Sequence, residues 1–398
     1  MANVNLVNDL VMTDAVRVFR NNTVLTNAIG PQYDSTYETF GAKSGQAINI
    51  QVPQEFTTRN TFAASVQDVE QKQVTLTRSV VRGIDIRYSS AEMTQDNVDG
   101  FVKNKVAPAM STLAASVDSY IYETVSDGIA NSVALPTTAL DRQDILNAGV
   151  KLDNGLAPRD GTRRLILNPQ GMADVVNDSS GLFNAASNIS QQYKDGIVDV
   201  NTTLGFGVGM SQNVSTHTTG GYDANYDVAT VPTSGDATLD VDTGTGTITK
   251  GDVFTIDSVF EVNALTKVST GKLKQFVVTA DSAGGTVTLS IDPPMISTGQ
   301  YQNISELPAL NDDLVFTGTA STAYPQALAF HPSFAALGFM DLNIPRSAVY
   351  GARKQEDGIS IRCIEWYDGI NDQEYLRFDV LFGVSLVIPR FAARIYSF

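Results

Sequence analysis

Nucleophilic and general acid–base catalysis draw mostly on histidine and cysteine, and this sequence holds only His217, His331 and Cys363. His217 sits in a Thr/Gly-rich loop and His331 precedes Pro332. Neither has a second ligand at the spacing of a metal-binding helix, so both read as structural, and Cys363, in an apolar run, reads as a small core residue. Carboxylates are the more abundant alternative. Asp240, Asp242, Asp312 and Asp313 lie in turn-rich β sequence, where solvated loop tips account for them, and the spacing from Asp240 to Gly244 misses the pattern of a calcium loop. Gly205-Phe-Gly-Val-Gly209 superficially suggests a phosphate loop, but it lacks the Lys-Ser/Thr pair and the strand-to-helix setting, and reads as flexible backbone. Trp366 and Tyr367 follow a strand and read as packing. Catalysis, a cofactor and a metal are all unsupported.

The remaining chemistry is charge pairing. The chain of 398 residues carries 43 acidic and 27 basic side chains, a formal net charge of -16 that suits neither phosphate neutralisation nor sequence-specific nucleic-acid binding. Its arginines are unevenly spread: none occurs between Arg164 and Arg346, while they cluster from Arg59 to Arg87 and from Arg346 to Arg394. Such localised charge points to contacts between subunits. The candidates are Glu55, Arg59, Asp68, Glu70, Lys72, Arg78, Arg82 and Arg87, with the basic members expected to meet carboxylates on neighbours and the acidic members to do the reverse. The single cysteine excludes an internal disulfide. No basic-then-apolar leader opens the sequence and no apolar run reaches membrane-spanning length, so a soluble protein made inside the cell is expected, with no membrane partner.

These candidates lie on an extended hairpin. Ile48, Ile50 and Val52 alternate with polar residues, as do Val74 and Leu76 and then Ile84 and Ile86, with about twenty mostly polar residues between the first two runs. A loop of that length needs another surface to lie on. The hairpin is followed by an amphipathic stretch from Asn97 to Gly128 in which Val102, Val106, Met110, Leu113, Val117, Tyr120, Ile121 and Val125 share one face. Capped by Asp96 or Asn97 and ended by Gly128, it predicts a spine helix of roughly 45 Å, bent at Pro108. Before the hairpin, Thr13 to Arg20 is a short helical candidate in an arm that is expected to pack little on its own domain. Beyond the spine, Asp141 to Lys151 predicts a capped helix, and Arg163 to Gln170 a buried strand that breaks at Asn168-Pro169, before a helix from Met172 to Val176. From Gly220 to Tyr324 the composition turns to Thr, Gly, Asp and Val, with strands at 237–241, 253–256, 276–279, 287–291 and 314–316, a small β-barrel or sandwich inserted in an α/β host.

In the order of its parts the chain resembles the tailed-phage capsid fold, which phage coat proteins share with encapsulin shells. Several stretches are similar to the coat proteins of short-tailed phages that carry a β-barrel insertion: Leu165 to Gln170 ending Asn-Pro-Gln, Ala329-Phe330-His331, and Arg377-Phe-Asp-Val-Leu-Phe-Gly-Val384 followed by Pro389 and Arg394. Lys250-Gly-Asp-Val-Phe-Thr-Ile256, Phe276-Val-Val-Thr279 and Gly285 to Pro293 resemble the barrel of that family. The resemblance implies an α+β major capsid fold: an N-terminal arm (1–40), an extended E-loop hairpin with P-domain strands (41–90), the spine helix of the peripheral domain (91–131), a first part of the α/β axial domain (132–219), the inserted all-β barrel (220–325), and a return to both domains (326–398). It further implies self-assembly into pentamers and hexamers of an icosahedral virion shell, built in the host bacterial cytoplasm with a scaffolding protein and a portal protein, that contains double-stranded DNA without reading its sequence. One departure stands out: the segment from Asn225 to Gly235, matching a longer loop that bridges capsomers in relatives, is short. The alternatives are an encapsulin-type compartment around a cargo enzyme and, from the Thr/Gly/Asp segment alone, a β-rich surface-adhesion protein.

Overall fold

The computed structural model describes residues 2–30, 47–59, 62–64, 66–69, 71–89, 102–133, 139–178 and 204–396. In chain order the helices are α1 (Ala2–Asn22), α2 (Leu25–Ile29), α3 (Ala107–Ser126), α4 (Arg142–Asn154) and α5 (Pro169–Asp178). The strands are β1 (Ala47–Gln51), β2 (Gln73–Thr77), β3 (Val80–Ser89), β4 (Ser132–Val133), β5 (Arg164–Leu167), β6 (Gly207–Met210), β7 (Thr216–Thr218), β8 (Asp227–Val228), β9 (Asp236–Asp242), β10 (Val253–Val262), β11 (Ser269–Val278), β12 (Val287–Met295), β13 (Leu314–Phe316), β14 (Ala323–Phe330), β15 (Ala335–Met340), β16 (Tyr350–Glu356), β17 (Ile359–Asp368), β18 (Gln373–Leu386) and β19 (Ala392–Tyr396). They form two compact units. The first comprises Met1–Ile50, Val74–Ile121 and Ala335–Ser385, the second Gln51–Gln73, Tyr122–Phe334 and Leu386–Phe398.

The first unit is built on an antiparallel sheet in the order β15, β18, β17, β16, with β3 also paired to the long β18. Alternation along β18 sends Leu376, Phe378, Val380 and Phe382 inward, and Phe378 lies opposite Ile84 of β3 and Cys363 of β17. The spine helix α3 contributes Met110, Leu113, Ala114 and Val117 to the core, and the Tyr120 ring meets Phe382 edge-on at 5.7 Å. At Pro108 the helix changes type. This residue is the second of α3 but lies inside a continuous helical run, and the irregularity falls directly before it as a π-helical turn over Val102–Val106, where the proline removes a backbone donor. The capping positions Asp96 and Asn97 are outside the described residues.

The N-terminal segment differs from the loosely packed arm that its composition suggests. It is a 21-residue helix. Met12, Ala15, Val16 and Phe19, spaced by three and four, are all buried, and Arg20 at its C-terminal end reaches Asp357 at 2.5 Å and Glu356 at 3.6 Å beyond β16. Four apolar residues on one stripe supply enough burial to dock the helix against β16.

The second unit has two layers of sheet. A mixed sheet runs β4, β19, β14, β5, β6, parallel at β4/β19 and β5/β6, with β7 beside the start of β14. Helix α4 covers it with Ile145, Ala148 and Leu152, and begins in a capping box: the Asp141 side chain accepts from the Asp144 N–H, and Asp144 returns the bond. Asn168 caps α5, accepting from the Gly171 N–H at 2.8 Å with Pro169 next in line. Of the Gly205 to Gly209 segment, read from sequence as flexible backbone, Gly205 is in a turn, while Gly207 to Gly209 belong to strand β6, parallel to β5, with Phe206 and Val208 buried in the core.

The segment between residues 222 and 320 forms its own hydrophobic core around Tyr226, Leu239, Val241, Phe254, Ile256, Phe276, Val278, Leu289 and Ile291. Its antiparallel order is β13, β10, β11, β12, β9, β8. The two outer strands then bond to each other: the Leu314 N–H donates to Tyr226 O at 2.8 Å, Val228 N–H to Asp312 O at 3.0 Å and Asn311 N–H to Val228 O at 2.9 Å. The sheet is therefore a closed barrel. Only residues 229–235 separate β8 from β9.

Candidate assembly surface

The hairpin begins as a ladder between β1 and β2. One further backbone bond, from the Val52 N–H to Lys72 O at 3.0 Å, extends it, and beyond that the two limbs separate. They are tied again by a side chain: Gln67 Oε1 accepts from the Thr57 N–H at 2.9 Å while its Nε2 donates to Thr57 O at 2.5 Å, a substitute for a ladder rung. Around that tie Phe56, Phe62, Val66 and Val69 are exposed, Phe62 completely. Several large apolar side chains on one short loop, all left in water, are an unsatisfied interface.

The predicted charged residues fall into two groups. On the loop, Glu55 is engaged within its own chain by Lys267 at 2.9 Å and by Arg390. Burial alone would raise the Glu55 carboxyl, but the hydrogen bonds and charges of those two cations outweigh it and hold the group below the ordinary glutamate range. Lys72 places its ammonium 3.5 Å from the centroid of the Tyr301 ring. Arg59 is exposed and donates to Phe62 O at 2.9 Å, and Asp68 is exposed. Glu70 is outside the described residues. In the other unit, Arg78 is buried and directs Nη1 toward Phe339 O at 3.4 Å, Arg82 lies over the Tyr120 ring at 5.1 Å, and Arg87 is exposed on β3 opposite Tyr375. Arg59, Asp68 and Arg87 are thus presented to solvent, while Glu55, Arg78 and Arg82 already have work inside the chain.

Sequence reasoning took the loop as polar and passed over Phe56, Phe62, Val66 and Val69. Their aperiodic spacing gives no strand or helix signal, and only their exposure reveals them. Lys267, Tyr301 and Arg390 were missed because each is far from the loop in sequence.

The residues weighed for catalysis are structural. His217 Nε2 is 2.9 Å from Asp252 Oδ1, both buried, and Asp252 also accepts from the N–H groups of Thr249 and Gly220. His331 contacts Ser333 Oγ at 2.5 Å and Asp160 Oδ2 at 3.2 Å. Burial, reinforced by Glu365 and Asp379, pushes the Cys363 thiol up to about 12. Asp240 accepts from Thr288, and Asp312 from the Ala309 N–H. Trp366 stacks on Tyr375 at 5.2 Å with the Arg377 guanidinium 5.3 Å away. Among the described residues there is no cluster of metal-ligating side chains and no helix long and apolar enough to cross a membrane.

The family model described as P22 coat protein - gene protein 5 matches residues 1–393. No curated protein gives a sequence match. Among solved structures, one from Mycobacterium phage Che8 is similar over 94% of this chain and 90% of that chain, at 14% identity and a TM-score of 0.49. A virus-like particle from Pyrococcus furiosus is similar over 96% of each chain at 8% identity and a TM-score of 0.41, and the CUS-3 coat protein I-domain over 24% of this chain and 96% of that one at 21% identity and a TM-score of 0.19. These scores lie below one half, and the identification rests on the family match.

Proposed function

The chain belongs to the P22 coat protein family, which makes it a major capsid protein, a structural subunit of an icosahedral phage head with the tailed-phage capsid fold, and from that premise we propose how its copies meet. They associate as pentamers and hexamers, the hairpin loop of each lying across the next so that Phe56, Phe62, Val66 and Val69 leave water. Arg59 and Asp68 form the charged rim of that contact, and Glu70 and Arg87 pair with charges on neighbouring copies. Each exposed pair contributes only about 0 to 1 kcal/mol, but a closed ring repeats it at every subunit. A scaffolding protein and a portal direct closure in the host cytoplasm, and the shell contains double-stranded DNA without binding its sequence. The net charge of -16 fits containment, since a strongly basic chain would hold the genome against release.

The observation that carries this reading is the exposed apolar set on the loop. Electron microscopy of the purified protein, alone and with a scaffolding protein, tests it. Closed shells of uniform size are expected. A monodisperse monomer at every concentration and with every scaffold would overturn it.

A further inference from the structure

Among the described residues, charged side chains hold the loop root to its own chain. Glu55, at the loop root, is 13% exposed, and so is Lys267, which approaches it from the turn between β10 and β11. Arg390, in the turn before β19, approaches the same carboxylate. The other limb of the root is held by the Lys72 ammonium over Tyr301 and by the Val52–Lys72 backbone bond. Beside the root lies a cleft of about 260 Å³ whose lining includes Glu55, Lys72, Glu261, Lys274, Asp292 and Arg390. Apolar residues such as Ile296 and Ile388 also line this cleft, but the grip on the root is ionic and lies outside the barrel's hydrophobic core, so it can be vacated without opening that core, and the Gln67–Thr57 tie lets the loop leave as one piece.

We infer that Glu55 is a releasable latch: in the free subunit it holds the hairpin loop on the chain's own barrel, and its two ion pairs are given up when the loop passes to a second copy of this chain. The inference rests on the assembly reading above, because that reading supplies the receiving copy. The latch fixes where the loop root sits, while Phe56, Phe62, Val66 and Val69 stay exposed to a neighbour. Because one carboxylate serves two cations, breaking it strands partly buried positive charge, so the loop stays seated until a neighbour offers a larger contact. The exchange resembles domain swapping, in which a contact made within one chain is remade between chains at low net cost.

Zero-length carbodiimide coupling reads the latch directly. The activated carboxyl of Glu55 and the amine of Lys267 lose water to form an amide only where the two groups touch, and the carbodiimide takes up that water as a urea. Particles assembled from a mixture of isotopically light and heavy copies let mass spectrometry separate links within a chain from links between chains. A Glu55–Lys267 link within one chain is expected in free subunits, and at least roughly ten-fold less of it in shells. An undiminished within-chain link in shells overturns the latch. In a second arm on free subunits, Glu55→Gln is expected to speed tryptic cleavage after Arg59 roughly ten-fold while circular dichroism stays unchanged. Unaltered cleavage also overturns the latch, whether or not shells form. If the unmodified protein forms no shells, the assembly reading fails, and the tryptic arm still decides whether Glu55 holds the loop.

Discussion

Asp118 on the spine helix caps the short helix that begins beside Thr26. Its Oδ1 accepts from the Thr26 N–H and from the Thr26 hydroxyl, each at 3.0 Å, and its Oδ2 accepts from the N–H groups of Val24 and Leu25 at 3.2 and 3.3 Å. The carboxylate is fully buried, so four donors and one anion satisfy each other out of water. Asp118→Ala is expected to destabilise the subunit by about 3 kcal/mol, through orphaned amides as much as through lost attraction. Urea unfolding of the unassembled protein measures this, and a loss below about 0.5 kcal/mol would show the cap to be dispensable.

Removal of Phe56 to Lys72 separates folding from assembly. Among its described residues the excised stretch contributes none to the hydrophobic cores of the barrel or the mixed sheet. The shortened chain is expected to remain soluble with an unchanged helical signal and to form no closed shells. Normal particles by electron microscopy would refute the role given to the loop.

Acid titration should expose the capping box. Burial is the main reason that the Asp144 carboxyl is raised to about 6, with the neighbouring Asp141 adding to it. A carboxyl raised on folding favours the folded state while it is protonated, so its contribution is greatest below the ordinary aspartate range and declines as pH climbs toward about 6. Asp144→Asn keeps an acceptor for the Asp141 N–H and removes the charge. The variant should therefore gain stability relative to the parent on going from pH 4 to pH 7, and melting curves at the two pH values that shift in parallel would contradict this.

Cys363 should resist thiol reagents. With its thiol pushed up to about 12 and its side chain in the core of the β17–β18 ladder, almost no thiolate is present at pH 8. Labelling with a disulfide reagent is expected to be slow in the native protein and complete within minutes in guanidinium. Rapid native labelling would mean that this sheet opens locally.

The parts of the fold that were legible in sequence are those where neighbours in the chain do the packing. The three-and-four spacing from Val106 to Val125 gave the spine face, Asp141 marked a helix start, and Asn168-Pro169 marked the end of a strand. The helix α1 was half visible: Thr13 to Arg20 carried the pattern, but the asparagines before it diluted the stripe. Glycine density misled at Gly205 to Gly209. There the signal lay in the apolar residues between the glycines, since Phe206 and Val208 are buried and residues 207–210 pair with β5. The electrostatic seat of the loop was illegible for a different reason. The cations of Glu55 stand 212 and 335 residues away, and no local rule links them.

Barrel closure also bears on crowding. A shell confines many identical copies at very high local concentration, a setting in which a bare strand rim invites runaway pairing. Since residues 226–228 already bond to residues 311–314, the two outer strands of this module leave no bare rim at that seam for a neighbouring copy to extend.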